Sequence, residues 1–304
     1  MILTPKLPPP CGPGDRVGVA ALSGPVDPGK LEAGLDSLRR LGFELVLADN
    51  VLSRRGFLAG SDEERLAAFH RLAADPDLKA IFFTRGGYGL PRILPALDWD
   101  LLGRVPRAYV GYSDLTPFLM EGVRRLGLVA FHGPLVGGEL ARGLDSEEEA
   151  SLLGALAGRY PAELPFQSWL REGSASGPLL GGCLSLLSAS LGTPWFPDLE
   201  GAVLFWEEIN EAPYRVDRML THLRLSGNLT KIAGMIVGHL EGAGTFGVSG
   251  EGDGGWPALV AESLSGYSWP LAWGLPAGHA APHWTLPLGL RAVLEAGSSR
   301  IVVG

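Results

Sequence analysis

Four short apolar runs, at residues 17–22, 43–47, 80–84 and 108–111, alternate with segments whose apolar residues recur at helical spacing. Strand and helix signals that alternate with short links leave few solutions. The strands become parallel neighbours in one sheet, and the helices cover both of its faces. The helix signals are specific. Asp27 and Pro28, an N-cap and a first-turn proline, precede Leu31, Leu35, Leu38 and Leu41, and Gly42 ends the segment. Ser61 and Glu64 read as a capping box that opens a helix to about residue 73. A further helix is predicted over 115–126. In sheets of this kind sites form at the carboxyl ends of the strands. That directs attention to RGGYG at 85–89 and GYSD at 111–114, which follow the third and fourth runs.

With 304 residues the chain exceeds what one core usually supports, so two domains are expected. Residues 1–142 read as the parallel-sheet α/β domain. Residues 143–178 lose the alternation and read as a connector. Residues 179–304 read as a smaller, mixed α/β domain. Its expected elements are helices over 181–191 and 216–225, strands over 202–206 and 232–237, and a terminal strand pair at 290–295 and 300–303. The glycine-rich stretch at 241–256 reads as a loop.

A net charge of −8 without a clustered basic stretch argues against a nucleic-acid partner. No run of about 18 apolar residues occurs, and the start lacks the features of a signal peptide, so no membrane association is expected. Cys11 and Cys183 are too few for a disulfide framework. Together these features read as a cytoplasmic chain.

GAGTFG at 242–247 formally matches a dinucleotide fingerprint, but more glycine follows it where a helix should begin, so no cofactor is expected. His279 and His283 lie four apart, yet Pro282 between them breaks the helix that a metal pair would need, and no metal is expected. Ser113 sits where a strand gives way to a helix. It is either an ordinary helix cap or a nucleophile raised on a sharp turn, with the following N–H open to a developing oxyanion. Position 115 is Leu, so the GxSxG elbow is absent. Glu207 and Glu208 end a buried strand; because strand side chains alternate, only one can face a site, and a solvated strand end is the plain alternative. Arg85 and Arg215 could each hold a substrate carboxylate or simply pair with an acidic neighbour.

Several stretches together resemble one family. They are PPPCGPGDRV at 8–17, RGGYG at 85–89, GYSDLT at 111–116, FHGPL at 131–135, LFWEEINEAPYRVDRML at 204–220 and GLPAGHAAPHWTLPLG at 274–289. In order, through nearly the whole chain, they resemble the LD-carboxypeptidases, the S66 serine peptidases of the muramoyltetrapeptide type. The resemblance implies a flavodoxin-like or class I amidotransferase-like N-terminal domain, a smaller C-terminal domain and a homodimer. It implies a triad of Ser113, Glu207 and His279, without a cofactor or metal. The implied activity is hydrolysis of the amide between L-Lys or diaminopimelate and D-Ala in murein tetrapeptide, during peptidoglycan recycling. In those roles the backbone N–H of Asp114 and that of Gly86 or Gly87 would receive the oxyanion. Two positions depart from the family pattern: His283 stands where Asn is frequent, and Trp206 where an aliphatic residue is usual. Both are expected to line the cleft. Two alternatives stay open. One is an immunity hydrolase of the microcin C type that cleaves aminoacyl or peptidyl nucleotides, with Trp256 stacking on the base. The other is a catalytically silent muropeptide binder.

Overall fold

The computed structural model describes residues 5–241 and 255–304. The chain forms two compact units. One runs through Tyr160 and takes in His283–Leu288; the other comprises Pro161–Pro282 and Gly289–Gly304.

The first unit is built on strands β1 (Arg16–Ala20), β2 (Glu44–Leu47), β3 (Ala80–Phe83), β4 (Ala108–Gly111) and β5 (Ala130–His132). They are parallel, in the order β5-β4-β3-β1-β2. The edge beyond β5 carries an antiparallel strand, Leu286–Leu288, which is β12 in chain order. Every residue of β3 and β4 is buried, which is why these strands read as unbroken apolar runs and not as alternations. The helices are α1 (Pro28–Arg40), α2 (Asp62–Ala73), α3 (Leu90–Ile93), α4 (Trp99–Arg104), α5 (Thr116–Glu121) and α6 (Ser146–Leu156).

The expected caps form. Asp27 accepts from the Lys30 N–H, and Ser61 and Glu64 make the reciprocal box. Each such cap contributes about 1 kcal/mol. The helix expected over 115–126 is α5, followed by a wider π-type turn over Gly122–Leu126. Phe118 anchors α5 to the sheet: its ring meets Phe83 at 5.5 Å and Tyr109 at 5.2 Å, both edge-on. Each aromatic pair adds about 0.5–1.5 kcal/mol beyond its buried area. The segment that follows Ser113 is therefore fixed from below.

The second unit contains β6 (Ala162–Pro165), β7 (Ser168–Arg171), β8 (Ala175–Cys183), β9 (Val203–Ile209), β10 (Gly234–Glu241), β11 (Leu271–Trp273), β13 (Arg291–Leu294) and β14 (Arg300–Val303). One sheet has the order β6-β14-β13-β8-β9-β10-β11-β7. Its centre, β8 to β11, is parallel and its flanks are antiparallel. The helices are α7 (Leu184–Ser190), α8 (Pro213–Leu225) and α9 (Gly255–Ser263). The observed architecture is the expected class: a parallel-sheet α/β unit and a second, mixed α/β unit.

Several details differ from the sequence reading: residues 283–288, read as part of the second domain, belong to the first unit, and Gly255 and Trp256, read as loop, open α9. Residues 143–178, read as a connector, carry α6, β6, β7 and the start of β8. Strands β6 and β7 are four residues each and partly exposed, too short to show a period. The helix expected over 181–191 begins only at Leu184, because residues 181–183 are still paired with Phe205, Trp206 and Glu207 of β9. The GAGTFG match at 242–247 lies outside the described residues.

Candidate active site

The candidate residues fall into two groups, one in each compact unit. In the first, β4 runs from Ala108 to Gly111 and ends at Tyr112, after which the chain turns sharply. Ser113 has φ 63°, in the left-handed region that a β-carbon disfavours. Holding a non-glycine residue there costs about 1–2 kcal/mol, so the surrounding packing must impose it. Tyr112 and Asp114 on either side are buried, while Ser113 is half-buried and reachable. The cap positions of the following short turn and of α5 belong to Tyr112 and Leu115. Ser113 is therefore not the helix cap that its type suggested.

Gly86 lies directly against this turn. A β-carbon on Gly86 would stand 2.7 Å from the Ser113 Oγ and 2.8 Å from its Cβ, so only glycine fits. The same point is 3.5 Å from the Asp114 nitrogen, which places the Gly86 backbone beside that N–H. Gly87 follows with φ 97°.

Asp114 contributes more than its N–H. Its Oδ2 accepts from the Leu90 N–H at 2.8 Å and so joins the end of the 85–89 loop to the turn that carries Ser113. Burial pushes its carboxyl above the ordinary carboxylate range, partly offset by hydrogen bonds that include the one from Leu90. Arg65, wholly buried on α2, holds the same loop from its other side. Its Nη1 donates to the carbonyls of Leu22 and Gly89, and its Nη2 pairs with Asp62 at 2.6 Å. The sequence reading missed both roles. A signal existed for Arg65: it shares the 65, 68, 69, 72 stripe with Ala68, Phe69 and Leu72, the buried face of α2.

A second buried group lies beneath the turn. Tyr112 packs edge-on against His283 at 4.5 Å, and His283 stacks on His132 at 5.2 Å. The Tyr112 hydroxyl donates to Glu139 at 2.7 Å, and the His283 N–H donates to Glu148 at 2.6 Å. His283 is 1% exposed, so it packs under the turn and does not line a cleft.

In the second unit, Glu207 and Glu208 lie near the carboxyl end of β9 and both are buried, which excludes the solvated strand end. They point opposite ways, as strand geometry requires. Glu208 accepts from the N–H groups of Ser185, in the first turn of α7, and Ile209, at 2.7 and 2.9 Å. Burial raises its pKa; these hydrogen bonds partly offset the rise. Glu207, with no exposed surface, binds the His279 Nδ1 through Oε2 at 2.6 Å. A carboxylate removed from water needs such a partner.

The backbone makes room for this pair. The register of β10 against β9 shifts between Val237 and Leu240, opposite Glu207, and the bulged His239 donates its N–H to Ala277 at 2.8 Å. The chain then turns at Gly278, φ 126°, where a β-carbon would be 2.9 Å from the Glu207 Oε2. His279 itself keeps 16% of its side chain exposed.

The remaining candidates divide. Trp206 is fully buried, with its Nε1 against the Met235 sulfur at 3.1 Å, so it is a core side chain and contacts no substrate. Its place in the middle of a strand covered on both faces decides this. Arg215 pairs with Glu211 at 3.2 Å and lies against Tyr214, the plain reading of that residue. Trp256 lies in the first turn of α9 and is half-buried. Arg85 is exposed and donates to the Pro25 carbonyl at 2.9 Å.

Comparison with known proteins identifies the family. Residues 17–133 match the LD-carboxypeptidase N-terminal domain, and residues 176–294 match the LD-carboxypeptidase C-terminal domain. The chain belongs to the LD-carboxypeptidase family, a family of hydrolases. It is 35% identical over 297 residues to the probable murein peptide carboxypeptidase of Bacillus subtilis, covering 95% of this chain and 92% of that one. It is 27% identical over 334 residues to the microcin C7 self-immunity protein of Escherichia coli, covering 98% and 96%. Among solved structures, the muramoyltetrapeptide carboxypeptidase of Oxalobacter formigenes aligns with TM-score 0.82 at 32% identity, covering 95% of this chain and 97% of that one.

Proposed function

We propose that the protein is a serine LD-carboxypeptidase that hydrolyses the bond between L-Lys or diaminopimelate and the terminal D-Ala of murein tetrapeptide during peptidoglycan recycling. Ser113 is the nucleophile, His279 the general base and Glu207 the group that orients the imidazole. The observation that carries the reading is the 2.6 Å bond from the His279 Nδ1 to a fully buried Glu207, which fixes one tautomer and leaves Nε2 for proton transfer. The left-handed Ser113 turn beside Gly86 supports it independently, because a hydroxyl raised on such a turn has backbone N–H groups next to it.

The chemistry follows. The Ser113 Oγ attacks the amide carbonyl as its proton passes to His279. The oxyanion is received by the Asp114 N–H and by that of Gly86 or Gly87. As the tetrahedral intermediate collapses, the C–N bond breaks and His279 returns the proton to the departing amine of D-alanine. Water, deprotonated by His279, then cleaves the acyl-enzyme. The proposal extends to a cytoplasmic homodimer, and light scattering at twice the chain mass tests that part. Among the described residues no helix is long and apolar enough to cross a membrane.

Mass spectrometry of defined tetrapeptides ending in L- or D-alanine tests the activity. Release of D-alanine alone by the wild type, and none by Ser113→Ala, is the expected result; equal release by both proteins would remove Ser113 from its role. A second reading, cleavage of an aminoacyl or peptidyl nucleotide, rests on the likeness to the microcin C7 self-immunity protein. Offering both substrates to one preparation separates the two.

A further inference from the structure

We propose that a cleft within the first unit, lined by Arg54, Phe57, Arg85 and Tyr88, is a binding subsite for an anionic group, carboxylate or phosphate, carried on a ring with an apolar face. This deepens the proposed function, since the cleft adjoins the Gly86 and Gly87 loop beside Ser113. Its volume is about 600 Å³, the size of a small-molecule site.

The rings come first. Phe57 is 63% exposed and Tyr88 50%, although each is among the large side chains that folding normally hides. Their centroids are 5.7 Å apart at an interplanar angle of 57°, so they make one angled apolar surface open to solvent. Such a surface suits the face of a sugar or a base.

The charges come second. Arg54 and Arg85 both line the cleft, no acidic residue does, and neither arginine makes an ion pair among the described residues. In a chain of net charge −8, two arginines lining one cleft without a counter-charge form a local anion trap. Arg85 is oriented by its bond to the Pro25 carbonyl at 2.9 Å, which leaves its remaining N–H groups for a ligand.

The platform is also rigid. Buried Asn50, at the start of the loop that bears Arg54 and Phe57, donates to the Ala59 carbonyl at its far end, at 3.0 Å, and to the Ala21 carbonyl just beyond β1, at 2.8 Å. Within it, Arg55 and Leu58 exchange two backbone bonds across Gly56, which has φ 62°. The Gly24 N–H binds the Gly86 carbonyl at 3.0 Å, joining the floor of the cleft to the loop against Ser113. A preorganised site loses less entropy on binding.

Calorimetric titration of the full-length protein tests this with four probes: N-acetylmuramic acid, adenosine monophosphate, N-acetylglucosamine as a ring without the anion, and acetate as an anion without the ring. At least one of the two ring-bearing anions is expected to bind with Kd below about 1 mM, and both controls at least about tenfold more weakly. Tighter binding of N-acetylmuramic acid identifies a sugar acid as the occupant, and tighter binding of adenosine monophosphate a nucleotide. Arg54→Gln and Phe57→Ala should each weaken the ring-bearing anion about tenfold at unchanged Tm, with Arg54→Lys intermediate. Failure of both anions to bind, equal binding of N-acetylglucosamine, or wild-type affinity in the folded variants would each overturn the proposal. The titration needs no turnover. A protein that binds these probes but releases no D-alanine would refute the D-alanine-releasing activity alone, and one that hydrolyses without binding them would refute the cleft.

Discussion

At Ser113 the backbone does the positioning. A left-handed residue on a turn, flanked by buried Tyr112 and Asp114 and pressed against a residue without a side chain, holds one hydroxyl in one place. At His279 the side chains do it: a buried carboxylate at the end of β9 grips the imidazole at 2.6 Å, and a bulge in the neighbouring strand supplies the room. The contrast shows two ways of fixing a reactive group. Strain stores the constraint in the turn and needs a tight setting to keep it. A buried ion-type contact stores it in the pair and fails when one member is removed.

The largest effect should separate chemistry from strain. Ser113→Ala is expected to lower kcat by about 10⁶-fold in a D-alanine release assay. Ser113→Gly should be equally inactive yet more stable than the alanine variant by about 1 kcal/mol in denaturant melts, because glycine relieves the left-handed backbone. An alanine variant as stable as the glycine one would break the claim that the turn is strained. Glu207→Gln comes next. It preserves shape but offers the imidazole a poorer acceptor, and kcat should fall about 10⁴-fold with KM little changed. A loss confined to KM would show that the pair binds substrate and does not orient a base.

Gly86→Ala probes the seam between turn and loop. Its new β-carbon meets Ser113 at 2.7 Å. A loss of about 10²-fold in kcat and about 1–3 kcal/mol in stability is expected from kinetics and thermal melts. The smallest effect belongs to Asp114→Asn, read as Tm against pH. Burial raises the Asp114 pKa in the folded state. The folded protein therefore holds this proton where the unfolded chain releases it, so the contribution is fully present below the ordinary carboxylate pKa and is lost as pH rises through the raised one. Asparagine keeps an acceptor for Leu90 but does not titrate. The Tm of the variant relative to wild type should then climb as pH rises from about 4 toward neutral. A difference independent of pH would show that Asp114 is not held against its ionisation.

Much of this was legible in the chain. Caps at Asp27 and Ser61, the apolar runs of β1, β3 and β4, and the alternation between them are local, and local chemistry decided them. The candidate residues were legible as motifs, with Ser113 and Glu207 each at a strand end and His279 after a glycine. Strands β6 and β7 were not, because four half-exposed residues have no readable period until neighbours pair with them. Trp206 was misread for a related reason: an unusual aromatic looks functional in sequence, and only burial on both faces of β9 identifies it as core.

What the sequence determined by itself is which segments become strands and helices and which side chains carry chemistry, since propensity, period and capping act within a few residues. The tertiary structure alone decided which of two adjacent glutamates meets an imidazole, that Ser113 takes a left-handed backbone in place of a cap, and that Arg65 and Asp114 secure the loop between them. Those outcomes depend on contacts between residues from 24 to 72 positions apart. No local rule can express them, because each is set by the packing of elements that meet only after the sheet has formed.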